Sequence, residues 1–107
     1  MRVYFNRRRQ WLEVEIHDVH PTTFERKNGT YWAYYQPETE RKPRRGLFGH
    51  LHFIKSRLTA DTVAHELFHV LADWLRAKSM QITPQNEERL AWLFDELTRN
   101  TIKAIQK

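Results

Sequence analysis

The fold is decided by residues 59–79, whose sequence is TADTVAHELFHVLADWLRAKS. The apolar residues of this segment recur at helical spacing and form one stripe, made of Val63, Leu67, Leu71, Trp74 and Leu75. Thr59 has the side chain of a good N-cap, and Asp61 stands in the first turn, where the helix dipole favours an anion. The pattern therefore predicts one amphipathic helix over residues 59–79.

This predicted helix contains the motif H-E-x-x-H, formed by His65, Glu66 and His69. Side chains four positions apart on a helix stand one above the other, so the two imidazoles converge on one point, as zinc binding by two histidines requires. Glu66 lies beside them and is the candidate catalytic base, which would take a proton from a water molecule activated by the metal. The alternative interpretation is two surface histidines and a solvated glutamate on an amphipathic helix.

A second helix is predicted over residues 84–106, with Thr83 as its N-cap and Pro84 at its first helical position. Its apolar face is formed by Leu90, Leu93, Phe94, Leu97, Thr101 and Ile105. Catalytic zinc takes three protein ligands and keeps one position open, so a site with two histidines needs a carboxylate from another element. Glu87 and Glu88, in the first turns of this helix, are the two candidates for that ligand.

The first half of the chain, residues 1–55, is predicted to form strands. Apolar and polar residues alternate there with the period of a strand that has one wet face, most clearly at Leu12, Val14 and Ile16. The segment 47–54 alternates in the same way and predicts another strand. His50 and His52 lie on one side of that strand and are interpreted as facing water, with a position lining the cleft or stabilising an oxyanion as the alternatives.

The order of these elements predicts an α+β domain. We expect a small, mostly antiparallel sheet of three to four strands, followed by two long helices that cover one of its faces. The dipeptide Asn28-Gly29 predicts a hairpin turn within the sheet. At 107 residues the chain is interpreted as one domain, with a strand-rich half over 1–55, the H-E-x-x-H helix over 59–79 and the glutamate helix over 84–106.

With these motifs the sequence resembles the gluzincin metallopeptidases, in which H-E-x-x-H is followed on a second helix by a ligand glutamate. The resemblance covers about residues 60–98. In size and element order the chain is similar to the minigluzincins and to short phage and bacterial metallopeptidase-like proteins, which implies a zincin-like fold. It implies that Glu88 is the third ligand, because Glu88 lies nineteen positions after His69. Glu87 follows Asn86 directly, which fits the Asn-Glu form of the motif, and it stays the alternative ligand.

The same resemblance implies a function. It is that of a zinc-dependent peptidase, with one Zn2+ ion per chain, a peptide or protein substrate and Glu66 as the general base. In the larger families the strand that precedes the active-site helix pairs with an extended substrate, so 47–54 is expected to offer an exposed edge. The tail from residue 98 to 107 is expected to be able to lie in the cleft. Asp73, four positions after His69, would orient that imidazole, with a solvated charge as the alternative.

The charge distribution supports a second hypothesis of a different class. The net charge is +5, and arginine and lysine are concentrated at Arg7–Arg9 and Arg41–Arg45. Such clusters can hold phosphates, so the alternative is a catalytically silent zincin-like protein that contacts nucleic acid or a protein partner. Nucleic acid is not the favoured partner, because charge runs are more often solvated loop surface.

Composition excludes several classes of protein. The chain has no cysteine, which excludes a disulfide framework, a thiolate metal site and a thiol nucleophile. No apolar run approaches the roughly 18 residues of a membrane span, so no membrane partner is expected. The first residues lack the apolar stretch of a signal peptide, and the expected compartment is the cytoplasm. The oligomeric state is not predicted.

Overall fold

The structure is a computed structural model that describes residues 1–18, 33–38 and 45–106. In this part of the chain the elements are β1 (Arg2–Phe5), β2 (Gln10–His17), β3 (Ala33–Pro37), β4 (Leu47–Ile54), a 3-10 helix (Lys55–Arg57), α1 (Ala60–Ala77) and α2 (Glu87–Ile105). The predicted α+β class, with strands first and two helices after them, is confirmed. The hairpin predicted at Asn28-Gly29 lies outside the described residues.

The four strands form one sheet in the order β1-β2-β4-β3. The two outer pairs are antiparallel, as expected for most of the sheet, whereas the central strands β2 and β4 are parallel. Strand β4 is therefore hydrogen-bonded on both sides. The expectation that segment 47–54 offers an exposed edge to a substrate is wrong, because β2 and β3 occupy its two edges.

Both helices pack on the same face of the sheet, α1 against β3 and α2 against β1. The sheet contributes to the shared core mainly through Val3, Phe5, Leu12, Val14, Leu51 and Phe53, and the helices through Val63, Leu67, Val70, Trp74, Leu90 and Leu97. The indole Nε1 of Trp74 also donates a hydrogen bond of 2.8 Å to Oε1 of Gln10. The apolar stripe of α1 thus sets the rotation of that helix, and with it the direction of the motif side chains.

The predicted N-cap is confirmed for α1 but not for α2, and the ends of both helices differ from the predicted bounds by one to three residues. Thr59 is the N-cap of α1, and its Oγ1 accepts a hydrogen bond of 3.4 Å from the Thr62 amide. The regular part of α2 begins at Glu87 rather than at residue 84. Its N-cap is Asn86 rather than the predicted Thr83. The two residues are linked, because Thr83 Oγ1 accepts a hydrogen bond from the Asn86 amide while Asn86 Oδ1 accepts one from the Thr83 amide.

Residues 98–105, near the end of the chain, do not lie in a cleft beside α1. Residues 98–105 are the last turns of α2, where Thr101 is fully buried and Asn100 Nδ2 donates a hydrogen bond of 2.8 Å to the Tyr4 carbonyl oxygen. Tyr4 belongs to β1, the strand at the opposite edge of the sheet from β3. The expectation that the tail could occupy the cleft is therefore wrong for residues 98–105.

Gly49 in β4 leaves room for the side chain of Tyr35, which crosses above it. A Cβ atom at position 49 would stand 2.6 Å from Tyr35 Cε1, 2.8 Å from the Tyr35 hydroxyl and 2.9 Å from the Gln36 carbonyl oxygen. The carbonyl cannot withdraw without disturbing the pairing of β3 with β4. Gly49→Ala is therefore expected to lower the free energy of unfolding by about 1–3 kcal/mol in urea titration. A change within about 0.5 kcal/mol would contradict this packing.

Candidate metal centre

The two histidines of the motif lie on the solvent-facing side of α1, opposite the side that packs on the core. Val63, Leu67 and Val70 are buried, whereas His65 and His69 are exposed, and the His65 side chain keeps 69% of its accessible surface. Glu66 lies between these two regions, and its side chain is only 8% exposed. The helix therefore presents two accessible imidazoles, as the spacing of the motif predicts, beside a carboxylate whose burial the spacing did not predict.

The two imidazoles meet at their Nε2 atoms, which are 3.2 Å apart. The ring centroids are 4.9 Å apart and the ring planes are inclined at 75°. Two nitrogen ligands of a tetrahedral zinc ion, each about 2.0–2.1 Å from the metal, lie about 3.3–3.4 Å from one another. The separation of the Nε2 atoms therefore fits two ligands of one zinc ion.

Glu66 forms the inner wall of this site. Its Oε2 atom lies 3.8 Å from His65 Nε2, and His65, Glu66 and His69 form a group whose ligand atoms all lie within 4.8 Å of one another. Burial raises the pKa of the Glu66 carboxyl, while His65, His69 and a hydrogen bond with the Tyr35 backbone act in the opposite direction. The site thus combines two imidazoles that could hold a metal ion with a carboxylate whose proton affinity burial has increased.

Neither candidate for the third ligand belongs to this group. Glu87 and Glu88 are the first two residues of α2, and both are exposed. The carboxylate that the structure brings next to His65 and His69 is that of Glu66. The assignment of Glu88 as the third ligand, with Glu87 as the alternative, stays a prediction from the resemblance.

Asp73 has a different partner from the one expected. Its Oδ2 accepts a hydrogen bond of 2.7 Å from the Tyr35 hydroxyl, and its Oδ1 lies 3.9 Å from an Arg76 guanidinium nitrogen. In this structure Asp73 therefore binds β3 and not the imidazole of His69. Tyr35 connects β3 to α1 twice, through its backbone to Glu66 and through its hydroxyl to Asp73. The sequence motif contains no signal for Tyr35, because the contact joins segments that are far apart in the chain.

Tyr35→Phe is expected to lower the free energy of unfolding by about 1.5–3 kcal/mol, because it removes a hydrogen bond to a half-buried carboxylate. Burial first, and then the hydrogen bond to Asp73, raise the pKa of Tyr35 above its ordinary value of 10.0. The folded state therefore keeps this proton longer than the unfolded state does. The contribution is complete below pH 10.0 and is lost as the pH rises further, and the variant should lack this loss.

Denaturant titrations at neutral and alkaline pH measure both effects. Tyr4→Phe is the matched control, since the Tyr4 hydroxyl makes an exposed contact of 3.4 Å with Arg2. The control should stay within about 0.5 kcal/mol of the wild type. An equal decrease in the free energy of unfolding of both variants would show that the hydrogen bond between Tyr35 and Asp73 contributes no more to stability than an exposed hydroxyl contact.

Comparison of the chain with protein-family models, with curated proteins and with solved structures gives no significant match. Neither helix in the described ranges combines the length and the apolarity that a membrane crossing requires.

Proposed function

We propose that this chain is a zinc-dependent peptidase of the gluzincin type. The observation that carries the proposal is the pair of Nε2 atoms of His65 and His69, 3.2 Å apart on an exposed helix face beside the buried carboxylate of Glu66. His65 and His69 supply two ligands of the ion. Glu88, or else Glu87, supplies the third from the start of α2, where both carboxylates are exposed.

A zinc ion held there would supply Lewis-acid chemistry, polarising the substrate carbonyl and lowering the pKa of a water molecule toward about 7. Glu66 performs the proton transfers. Its carboxylate accepts the proton of the attacking water and then gives it to the amine that leaves when the peptide bond breaks. Burial of Glu66 suits this role, because raising the pKa of a carboxyl moves it closer to neutral pH.

The surroundings of the imidazoles suit a polymeric substrate. The His65 side chain is largely exposed, so an extended chain can reach the site from solvent. Phe68, next to His69 on α1, keeps 63% of its surface exposed. A large exposed apolar side chain beside the reacting centre is suited to contact an apolar side chain of a peptide.

The proposal is tested with tag-free protein by elemental analysis and by cleavage of a library of fluorogenic peptides. Chelation should abolish cleavage, and added zinc should restore it. Glu88→Gln and Glu87→Gln form a matched pair for the third ligand. The change at the true ligand should weaken zinc binding by at least about 10–100-fold, and the other should have little effect. Protein that binds zinc at His65 and His69 but cleaves no member of the library would contradict the enzymatic role.

One observation favours a second candidate function, the binding of nucleic acid. A cavity of about 610 Å³ lies between the turn from β1 to β2 and the helices, and its lining includes Arg7, Arg9, Lys78, Arg89 and Arg99. Trp92 lines the same cavity and is 67% exposed. Cations that converge beside an exposed aromatic ring are the elements of single-strand binding, in which the cations track phosphates and the ring stacks on a base.

The turn from β1 to β2 gives this cavity two of its arginines. Asn6, Arg7 and Arg8 have φ angles of 53°, 56° and 64°, a left-handed conformation that residues other than glycine seldom adopt. Within the predicted cluster Arg7–Arg9, Arg7 and Arg9 line this cavity, whereas Arg8 lies over the Tyr4 ring. Residues 41–44 lie outside the described ranges.

Titration of a labelled single-stranded oligonucleotide at several salt concentrations tests this second function. Arg89→Gln should reduce the salt dependence of binding, and Trp92→Ala should weaken binding by about 1–3 kcal/mol. Arg57→Gln, in the 3-10 helix, is the control. Binding that is absent at low salt, or that all three changes reduce equally, would contradict a specific role for the cavity.

A further inference from the structure

The face of the sheet opposite the helices carries a second group of histidine and glutamate side chains. Because β2 and β4 are parallel, Glu15 is directly paired with His52, and His17 follows two positions later on the same face of β2. The donor atoms of Glu15, His17 and His52 all lie within 4.8 Å of one another. Their side chains are 49%, 25% and 14% exposed, so the group is accessible from solvent.

These three donor atoms form a nearly regular triangle. His17 Nε2 is 3.1 Å from His52 Nδ1, and Glu15 Oε2 is 3.5 Å from each of these nitrogens. Ligands that lie about 2.0–2.2 Å from a tetrahedral zinc ion are separated by about 3.3–3.6 Å. The triangle therefore has nearly the dimensions of one face of a zinc coordination tetrahedron.

We propose that Glu15, His17 and His52 hold a second divalent transition-metal ion, with zinc as the expected species. Two imidazoles and one carboxylate are a donor set that suits zinc and its neighbours, and not calcium or magnesium, which prefer oxygen ligands. Three protein ligands leave the fourth position open. In this place the ion would join β2 to β4, the two central strands, near their C-terminal ends.

The rings are oriented by contacts other than those to a metal. The His52 ring is stacked on Tyr34 at a centroid distance of 4.5 Å and an interplanar angle of 18°. The His17 ring lies 5.4 Å from the His52 ring, with an angle of 17°. Stacking on Tyr34 limits the rotation of His52, and the nitrogens of His17 and His52 already face each other at 3.1 Å, so a tilt of the two rings would bring both nitrogens to one ion.

The second site is independent of the first. His65 and His69 belong to α1, which packs on the helix-covered face, whereas Glu15, His17 and His52 lie on the other face of the sheet. Each site can therefore be removed without touching a donor of the other. His50 provides a matched control, because it lies on the same face of β4 and its Nε2 contacts Glu38 Oε2 at 3.2 Å, outside the donor triangle.

The test is a zinc titration by calorimetry on tag-free protein. The wild type and His50→Gln should bind two ions, and His65→Ala/His69→Ala should bind one. His17→Gln/His52→Gln should also bind one, and the variant that combines all four changes should bind none. Cobalt bound to His65→Ala/His69→Ala should give the intense visible absorption of a tetrahedral site.

The outcomes separate the two sites. If His65→Ala/His69→Ala binds no zinc, the second site is refuted, whatever the first site does. If His17→Gln/His52→Gln binds no zinc while His65→Ala/His69→Ala binds one, the second site stands and the proposed peptidase centre fails. If the double variant His17→Gln/His52→Gln does not fold, the single change Glu15→Gln, at an exposed residue, tests the same site. In the His65→Ala/His69→Ala background it should raise the Kd for zinc by more than about 10-fold, and an unchanged Kd would overturn the proposal.

Discussion

Glu66→Gln is expected to leave zinc bound and to lower kcat for peptide hydrolysis by about 100–10,000-fold, because the amide keeps the shape of the side chain but cannot accept a proton. Glu66 is the buried carboxylate next to the two imidazoles, and the substitution leaves His65 and His69 unchanged. The measurement is kcat and KM with a cleaved fluorogenic peptide, together with zinc content.

Glu13→Gln is the control for this change, since Glu13 lies on β2 and contacts the amino terminus at 3.4 Å. It should leave kcat unchanged. Hydrolysis that survives Glu66→Gln at the wild-type rate would remove Glu66 from the mechanism even if zinc is bound at the predicted place.

His69→Ala is expected to weaken zinc binding at the first site by more than about 100-fold, because it removes one of the two nitrogens that converge there. The change is made in the His17→Gln/His52→Gln background, so that only this site is counted. Zinc at 100 times its Kd should stabilise the parent protein by about 2.7 kcal/mol, and His69→Ala should abolish most of this gain. Thermal unfolding of both proteins with and without zinc measures this stabilisation.

The control for this experiment is His50→Gln in the same background, which removes an imidazole from the opposite face of the sheet. It should leave the zinc-dependent stabilisation intact. Equal stabilisation of the His69→Ala variant would mean that the ion is bound elsewhere.

Local patterns were sufficient to predict α1 and the convergence of its two histidines. The cap at Thr59 and the stripe from Val63 to Trp74 act within a single element, and a separation of four residues brings the rings of His65 and His69 together in any helix. The start of α2 was predicted three residues early, because Thr83 and Asn86 each accept a hydrogen bond from the other's backbone amide before the regular helix begins.

Features that depend on strand pairing were not predictable in the same way. Nothing local to 47–54 shows that β3 pairs with one edge of this strand while β2 pairs in parallel with the other. That parallel register brings Glu15 and His17 next to His52. The alternation pattern by itself indicated only that His52 faces water. The contacts of Tyr35 with α1 are equally remote in sequence.

The property on which the proposed function depends is the binding of one zinc ion by His65 and His69 together. It is tested most directly by X-ray absorption at the zinc edge on the His17→Gln/His52→Gln protein loaded with one equivalent of zinc. We expect two imidazole nitrogens at about 2.0–2.1 Å from the zinc ion, with oxygen atoms completing the coordination. A spectrum with no imidazole scattering, or with an unchanged imidazole count after His69→Ala, would contradict it.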